Sequence, residues 1–267
     1  MRYSILSAVL LALTITPAIA GVPYNVDDPG TTEPLATQVN IQYMSSQLRG
    51  SETQAFPSVG ITYGVNNNTE ADLSFGAAST RQSGTKRATD WSDTLVGVRW
   101  RFQEETKSRP QVGLAYFLKL PTASPSLGLG SGVADHQVYT MAAKSFGPYM
   151  VMADAGYNFV GSNTGKSNCL CGCAVTRQVS PTLNLGAQLY GNSATAPGAP
   201  GEFAWGVGGT YNYAPDRTFL VGAGRSMRGF SDCNVYVGWM LTFEPHKKAT
   251  DEQSTAATPT TTDQSKS

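Results

Sequence analysis

Residues 234–243 have the sequence Asn-Val-Tyr-Val-Gly-Trp-Met-Leu-Thr-Phe, in which an apolar residue occupies every second position. Val235, Val237, Trp239, Leu241 and Phe243 form an apolar stripe, with a mixed set of mostly smaller or more polar residues between them. A period of two is typical of a β-strand whose two faces meet different surroundings. This stretch therefore predicts a strand with one face toward lipid and the other toward a more polar space.

The same alternation recurs along the chain and predicts twelve strands. Each is close to the roughly 9–11 residues that a tilted strand needs to cross a bilayer. The predicted strands are 34–45, 54–63, 69–80, 92–103, 110–121, 135–146, 149–160, 169–178, 181–191, 202–213, 217–226 and 232–243.

The N-terminus has the features of a secretory signal peptide over residues 1–20. Arg2 supplies a positive charge, residues 5–15 an apolar core, and 18–20 a cleavage site of small residues. The apolar core is too short for a transmembrane helix. The 19 basic and 19 acidic residues balance, so the composition does not suggest a nucleic-acid partner.

A soluble β-sandwich also shows alternation, but two features favour a membrane barrel. The outward faces carry aromatic residues suited to the membrane interfaces, and the inward faces carry glycine and polar residues. The sequence therefore predicts an all-β, antiparallel, up-and-down transmembrane barrel over residues 34–243, with an even number of strands. Residues 21–33 are predicted to be either a periplasmic leader or a plug, and residues 244–267 a disordered periplasmic tail.

Short connections alternate with longer ones along the predicted barrel. The short ones, such as 66–68, 147–148 and 214–216, resemble tight turns, whereas residues 46–53, 122–134 and 192–201 are longer. Because bacterial barrels have short periplasmic turns and long external loops, both termini are expected in the periplasm. Trp239 and Phe243, on the last strand, are candidates for a signal read by the barrel-assembly machinery. Outer-membrane lipid and periplasmic chaperones are the other expected partners.

Several stretches resemble the meta-pathway of phenol degradation family, a group of outer-membrane barrels often described as transporters. They are residues 27–31, 93–102, 118–122, 128–132 with Asp135, and 155–161. The resemblance implies a barrel and the uptake of small, weakly charged, aromatic compounds. Two features depart from it: the chain continues beyond Phe243, and it contains a cysteine cluster.

Passive passage of a small solute is therefore the predicted function. Eight strands leave an interior filled by side chains and sixteen leave an aqueous channel, so twelve predict a narrow lumen. A barrel without transport, whose external loops bind a partner, is the alternative, and an outer-membrane lipid hydrolase is the third hypothesis.

Charged residues at inward positions are candidates for solute selection or for ion pairs that stiffen the wall. They are Asp72, Arg99, Arg101, Lys119, Lys144 and Asp154. If residues 21–33 form a plug, Asp27 and Asp28 are expected to meet the interior arginines.

Cys169, Cys171 and Cys173 occupy alternate positions of one strand, and Cys233 begins the last strand. An oxidising compartment favours disulfides, and a bridge between Cys169 and Cys233 is conceivable. A soft-metal site is the alternative, but no histidine lies near the cluster. Neither a resident metal nor a cofactor is predicted.

Catalysis has little support in the sequence. The chain has two histidines, His136 and His246. A hydrolase would need a serine such as Ser131 within hydrogen-bond reach of the His136 imidazole. The more economical interpretation is that Asp135 and His136 close a loop, and the chain is predicted not to be an enzyme.

Overall fold

The computed structural model describes residues 23–48, 51–162, 165–228 and 231–245. The predicted signal peptide and nearly all of the predicted C-terminal tail lie outside these residues. Within them, the one helix is a short 3-10 turn at Pro125–Leu127, and no helix is long and apolar enough to cross a membrane.

Thirteen strands are present in the described residues. In chain order they are β1 (Thr37–Leu48), β2 (Ser51–Asn66), β3 (Thr69–Gln82), β4 (Ala88–Trp91), β5 (Thr94–Gln103), β6 (Gln111–Leu120), β7 (Asp135–Phe146), β8 (Tyr149–Val160), β9 (Asn168–Ser180), β10 (Leu183–Asn192), β11 (Glu202–Ala214), β12 (Arg217–Arg228) and β13 (Ser231–Phe243).

The sheet closes on itself. Each strand from β5 to β13 pairs antiparallel with the next, and β1 bridges β13 and β2, with Thr37 opposite both Phe243 and Tyr63. β2 pairs with β3, which completes the circle. Since β4 and β5 both pair with β3 and together make one wall position, the protein is a closed barrel of twelve strands. The predicted fold class is confirmed.

The fourth wall strand is interrupted, which the sequence pattern did not show. β3 pairs with β5 up to Ser74 and with β4 from Ala77 onward. At the break, the backbone N–H and the hydroxyl of Ser92 both donate to the carbonyl of Gly76. The predicted strand 92–103 corresponds to β5, which begins at Thr94. The short strand β4 lies before it, in residues that were not predicted to form a strand, and Ser92 and Asp93 lie between the two.

Inward and outward positions alternate as predicted. On β6, Ala115, Phe117 and Lys119 are buried, whereas Leu114 and Tyr116 are exposed. Exposed aromatic rings form belts near both ends of the barrel, as expected for a wall that faces lipid. These include Phe56, Trp91, Phe159 and Phe203 near one end and Tyr63, Trp100, Phe102, Phe146, Tyr149, Tyr211 and Phe243 near the other.

The two ends of the barrel differ in their connections. One end, called the turn end from here on, holds the short turns 67–68, 147–148, 181–182 and 215–216, and β1 begins and β13 ends there. The opposite end, the loop end, holds the connections 121–134, 161–167 and 193–201. The predicted long connection 46–53 is wrong: β1 extends to Leu48 and β2 begins at Ser51, so the two strands pair almost to the loop.

Candidate functional site

The segment before β1 lies inside the barrel. Val26 and Asp27 have 0% and 1% of their surface exposed. Tyr24 and Val26 pack in one cluster with side chains of β7, β8 and β9, which are Ala143, Met152 and Ala174. Residues 23–33, called the luminal segment from here on, therefore occupy the interior of the barrel.

Arg99 of β5 is the main ionic contact of the luminal segment. Its guanidinium lies 2.5 Å from Asp27 Oδ2 and 2.9 Å from Glu70 Oε1, and donates to the Gly30 carbonyl at 3.3 Å. The Tyr139 hydroxyl donates to the same Asp27 oxygen at 3.2 Å. Because both ion pairs are buried, salt screens them little, and losing one partner would leave an uncompensated charge.

Wall side chains also accept the backbone N–H groups of the luminal segment. Buried backbone donors must find partners, and here a strand ladder does not supply them. The bonds run from Asn25 and Val26 N–H to Gln188 Oε1 (2.7 and 3.2 Å), from Asp27 N–H to Asp154 Oδ2 (2.9 Å) and from Thr32 N–H to Glu70 Oε2 (2.7 Å). Together with Arg99 of β5 and Tyr139 of β7, side chains of five different strands thus hold the segment along its length.

Two glycines let the luminal segment approach the wall closely. A Cβ at Gly172 would lie 2.5 Å from Val26 Cγ2, and a Cβ at Gly186 would lie 2.6 Å from the Tyr24 hydroxyl oxygen. Both distances are shorter than the contacts that a Cβ atom makes in proteins. Only glycine at these two positions therefore allows the luminal segment to lie this close to the wall. The abundant inward glycines therefore have a packing role beyond making the lumen wide.

A cavity of about 330 Å³ lies between the luminal segment and the loop end. Tyr24, Asn25 and Asp27 contribute to its floor. One side is apolar and aromatic, where the Phe117 and Tyr139 rings stack with centroids 5.8 Å apart. Its further lining includes Leu95, Leu170, Asp154, Asn158, Asn168, Gln188, Tyr190, Glu202, Asn234 and Tyr236. The size suits one small molecule.

Lys119 anchors the loop end of the lumen. Its Nζ lies 2.9 Å from Asp93 Oδ2 and 2.8 Å from Asp135 Oδ2, and donates to Ser131 Oγ at 2.8 Å. The other oxygen of each carboxylate accepts a backbone N–H, from Ala123 and from Gly161. One buried ammonium group therefore ties the strand break and two loops together.

Replacing Lys119 with methionine should loosen the loop 121–134. The change leaves the Asp93 and Asp135 carboxylates without their cation, and the loop can relieve this by opening to water. We expect a loss of about 2 kcal/mol in the free energy that holds the loop closed. Chymotrypsin cleavage at Leu127 and Leu129 in the folded protein should rise by more than tenfold. Lys166→Met, in another loop at the same end, is the control, and an unchanged cleavage rate in Lys119→Met would contradict the anchor.

Arg101 and Lys144 lie at the turn end and contact a connecting loop. Arg101 pairs with Glu104 at 3.1 Å and donates to the Asn67 carbonyl, while Lys144 pairs with Glu105 at 3.1 Å. The Ser145 backbone N–H, followed by the Lys144 ammonium, lowers the pKa of the half-buried Glu105 carboxyl below its ordinary value. These two cations therefore hold the 104–110 connection against the rim and are not a selective ring.

Five of the six predicted lumen charges point inward, and they fall into separate groups. The prediction for Lys144 is wrong, because Lys144 has the outward parity of His136 on β7 while its neighbour Ala143 faces the lumen. Arg99 and Asp154 contact the luminal segment, Lys119 anchors the loop end, and the Arg101 and Lys144 pairs lie at the rim. Asp72 accepts a hydrogen bond from Thr62 at 2.9 Å. Asp28 does not meet an arginine as expected, because its carboxylate accepts the N–H of Gly30 in a local turn.

Glu70, Tyr139 and Gln188 were missed as functional residues. Glu70 has the same inward parity as Asp72 on β3, which was a usable signal. Tyr139 and Gln188 also have inward parity, but only their contact with the luminal segment distinguishes them from other polar residues of the wall.

The predicted disulfide is not formed. All four cysteines are free and exposed, and those of β9 point outward, away from the lumen. Strands β10, β11 and β12 separate Cys169 from Cys233. A bridge across the lumen is therefore wrong. Within the described residues, no group of three or more His, Cys, Asp or Glu side chains could hold a metal ion.

The hydrolase arrangement is also not assembled. His136 lies on the outward face, where its Nδ1 makes a 2.8 Å hydrogen bond with the Tyr116 hydroxyl. Ser131 bonds instead to Lys119 and to the Val133 carbonyl. Ser131 lies in the loop 121–134 and bonds to the inward-facing Lys119, whereas His136 faces outward, so the two do not form a nucleophile and base pair.

A family model described as "Putative MetA-pathway of phenol degradation" matches residues 20–229. The chain belongs to this family. No curated protein matches this chain. The predicted resemblance is confirmed, and it covers the luminal segment as well as most of the barrel of this phenol degradation family member.

Solved structures share its fold at low sequence identity. The COG4313 outer membrane channel from Pseudomonas putida F1 is 13% identical, with a TM-score of 0.67 over 81% of this chain and 98% of that chain. The NanC porin is 10% identical, with a TM-score of 0.55 over 76% of this chain and 98% of the porin chain. The KdgM porin is 12% identical, with a TM-score of 0.53 over 77% of this chain and 99% of the porin chain. The fold of this family member is therefore that of outer-membrane channels and porins.

Proposed function

We propose that the protein is an outer-membrane channel for the passive passage of small solutes with an aromatic or apolar part, and that the luminal segment is its gate. The observation that supports this proposal most directly is the cavity of about 330 Å³ inside a closed barrel, whose floor includes Pro23, Tyr24, Asn25 and Asp27. A solute that enters from the loop end can occupy the cavity and pass when the floor moves aside. Membership of a family described by phenol degradation supports an aromatic solute.

The cations of the wall support a channel without an anion filter. Arg99, Arg101, Lys119 and Lys144 each have a carboxylate partner within 3.1 Å. An anion filter made of side chains needs a ring of unpaired positive charges. The paired cations therefore stiffen the wall and hold its loops, and they do not form a site that selects anionic solutes.

The proposed orientation puts the turn end and both termini in the periplasm. The supporting observation is that the short turns and the two terminal strand ends share one end of the barrel, as in bacterial outer-membrane barrels. Trp239 and Phe243 face outward on β13, where we propose that they serve as the assembly signal. In this orientation, the protein would contact periplasmic chaperones and the barrel-assembly machinery from the periplasmic side.

Proteoliposome swelling tests the proposal. Liposomes containing the native protein should swell in isotonic erythritol or arabinose faster than protein-free liposomes. They should not swell in raffinose, because this trisaccharide is wider than the lumen. Phenol should slow the erythritol flux in a concentration-dependent way, because it occupies the cavity. If neither the native protein nor an Arg99→Met variant passes erythritol, the channel proposal fails and a barrel without transport is favoured.

A further inference from the structure

The charges that line the luminal cavity are all negative. Asp27, Asp154 and Glu202 contribute to the lining, and no Lys, Arg or His of the described chain does. Asp27 is neutralised by Arg99 below the cavity. The remaining two carboxylates therefore set a negative potential inside the barrel, where charges interact more strongly than in bulk water.

Asp154 is the carboxylate with the least compensation. It is 8% exposed, and its Oδ2 accepts the Asp27 backbone N–H at 2.9 Å. Its other electrostatic contacts are backbone N–H groups, and none of the described cationic side chains pairs with it. A buried carboxylate without a countercharge is costly, so a cation that enters the cavity would gain by supplying one.

Aromatic rings surround the same space. Tyr24, Tyr139, Tyr190 and Tyr236 line the cavity together with Phe117. The faces of aromatic rings attract ammonium groups, and cages of such rings recognise them in proteins. Leu95 and Leu170 extend the Phe117 side as an apolar surface. The cavity thus combines a site for positive charge with a site for a ring or a short hydrocarbon chain.

We propose that this cavity binds a small organic ammonium ion, namely an amine with one ring or a short alkyl group. The ammonium group lies against Asp154 and the tyrosine rings, and the apolar group lies against Phe117 and Leu95. This inference rests on the proposed channel function, since it names the class of solute that the cavity selects. Anions are repelled by the same carboxylates, and a neutral isostere lacks the charge interaction.

Calorimetry on the full protein in lipid nanodiscs tests the inference, with empty nanodiscs subtracted to remove partitioning into lipid. The probes are 2-phenylethylammonium, 2-phenylethanol and phenylacetate, which share a ring and differ in charge. The native protein should bind the ammonium at least tenfold more tightly than the alcohol, and phenylacetate more weakly than both. Asp154→Asn, whose amide oxygen still accepts the Asp27 N–H, should reduce the ratio of ammonium to alcohol affinity by about tenfold.

Two further variants separate the possible outcomes. Glu202→Gln, which does not touch the luminal segment, should reduce the same ratio to a smaller degree, and Asp216→Asn, in a turn outside the lumen, should leave it unchanged. Equal binding of the three probes, or an unchanged ratio in both Asp154→Asn and Glu202→Gln, overturns the inference. Swelling in erythritol is measured on the same preparations. Erythritol flux without a preference for the ammonium probe would overturn the inference and leave the channel proposal supported. Preferential ammonium binding without flux would overturn the channel proposal and leave the ammonium site supported.

Discussion

Replacement of Arg99 by methionine is expected to release the luminal segment and to raise erythritol flux by more than tenfold. The change removes the cation that holds Asp27 and the Gly30 carbonyl, and it leaves Asp27 and Glu70 as buried, unpaired carboxylates. Breaking a buried ion pair from one side costs about 3–5 kcal/mol. Since about 1.4 kcal/mol is a factor of ten in an equilibrium, the ratio of bound to released luminal segment should fall by at least two orders of magnitude.

The barrel itself should survive this change, because its closure rests on backbone hydrogen bonds between neighbouring strands. Heat-dependent mobility on gels should therefore still show a folded barrel, while chymotrypsin should gain access to Tyr24. Arg101→Met is the matched control, since Arg101 lies two residues along on the same face of β5 and pairs with Glu104 instead. If Arg99→Met shows the erythritol flux of the native protein and chymotrypsin does not cleave at Tyr24, the other contacts are enough to hold the luminal segment in place.

The barrel could be predicted from the sequence because strand parity is a local property. The alternation of Leu114, Ala115, Tyr116 and Phe117 shows which side each residue faces, and each strand carries the same information independently. The break before Thr94 was missed for a related reason. It depends on the partner strand β3 and on the Asp93 contacts with Lys119 and Ala123, which a period within one strand does not reveal.

The position of the luminal segment could not be decided from the sequence. Its central ion pair joins Asp27 and Arg99, which are 72 residues apart, and the Asn25 bond to Gln188 spans 163 residues. A leader outside the barrel and a segment inside it have the same composition. The glycines at 172 and 186 hold the relevant signal, but it becomes visible only when Val26 and Tyr24 are placed against them.

A disulfide between the luminal segment and the wall should abolish solute flux. Val26→Cys with Gly172→Cys is the suitable pair. A Cβ added at Gly172 would lie 2.5 Å from Val26 Cγ2, so the two Cβ atoms would lie within about 4 Å, the separation that a disulfide requires. The Val26→Cys change also removes the methyl group that would collide with the new side chain. The four native cysteines, which are exposed and free, are replaced by alanine in this background.

Oxidation should lower erythritol flux through this variant by more than tenfold, to the rate of protein-free liposomes, and a reductant should restore it. The physical reason is that the bond fixes the segment to β9 and prevents the cavity floor from moving aside. Val26→Cys alone, treated with the same oxidant, controls for damage unrelated to the bridge. Full flux through the oxidised double variant, with the bridge verified by mass spectrometry, would mean that solutes pass beside a seated segment, and the gate would then have to be sought at the loop end around Lys119.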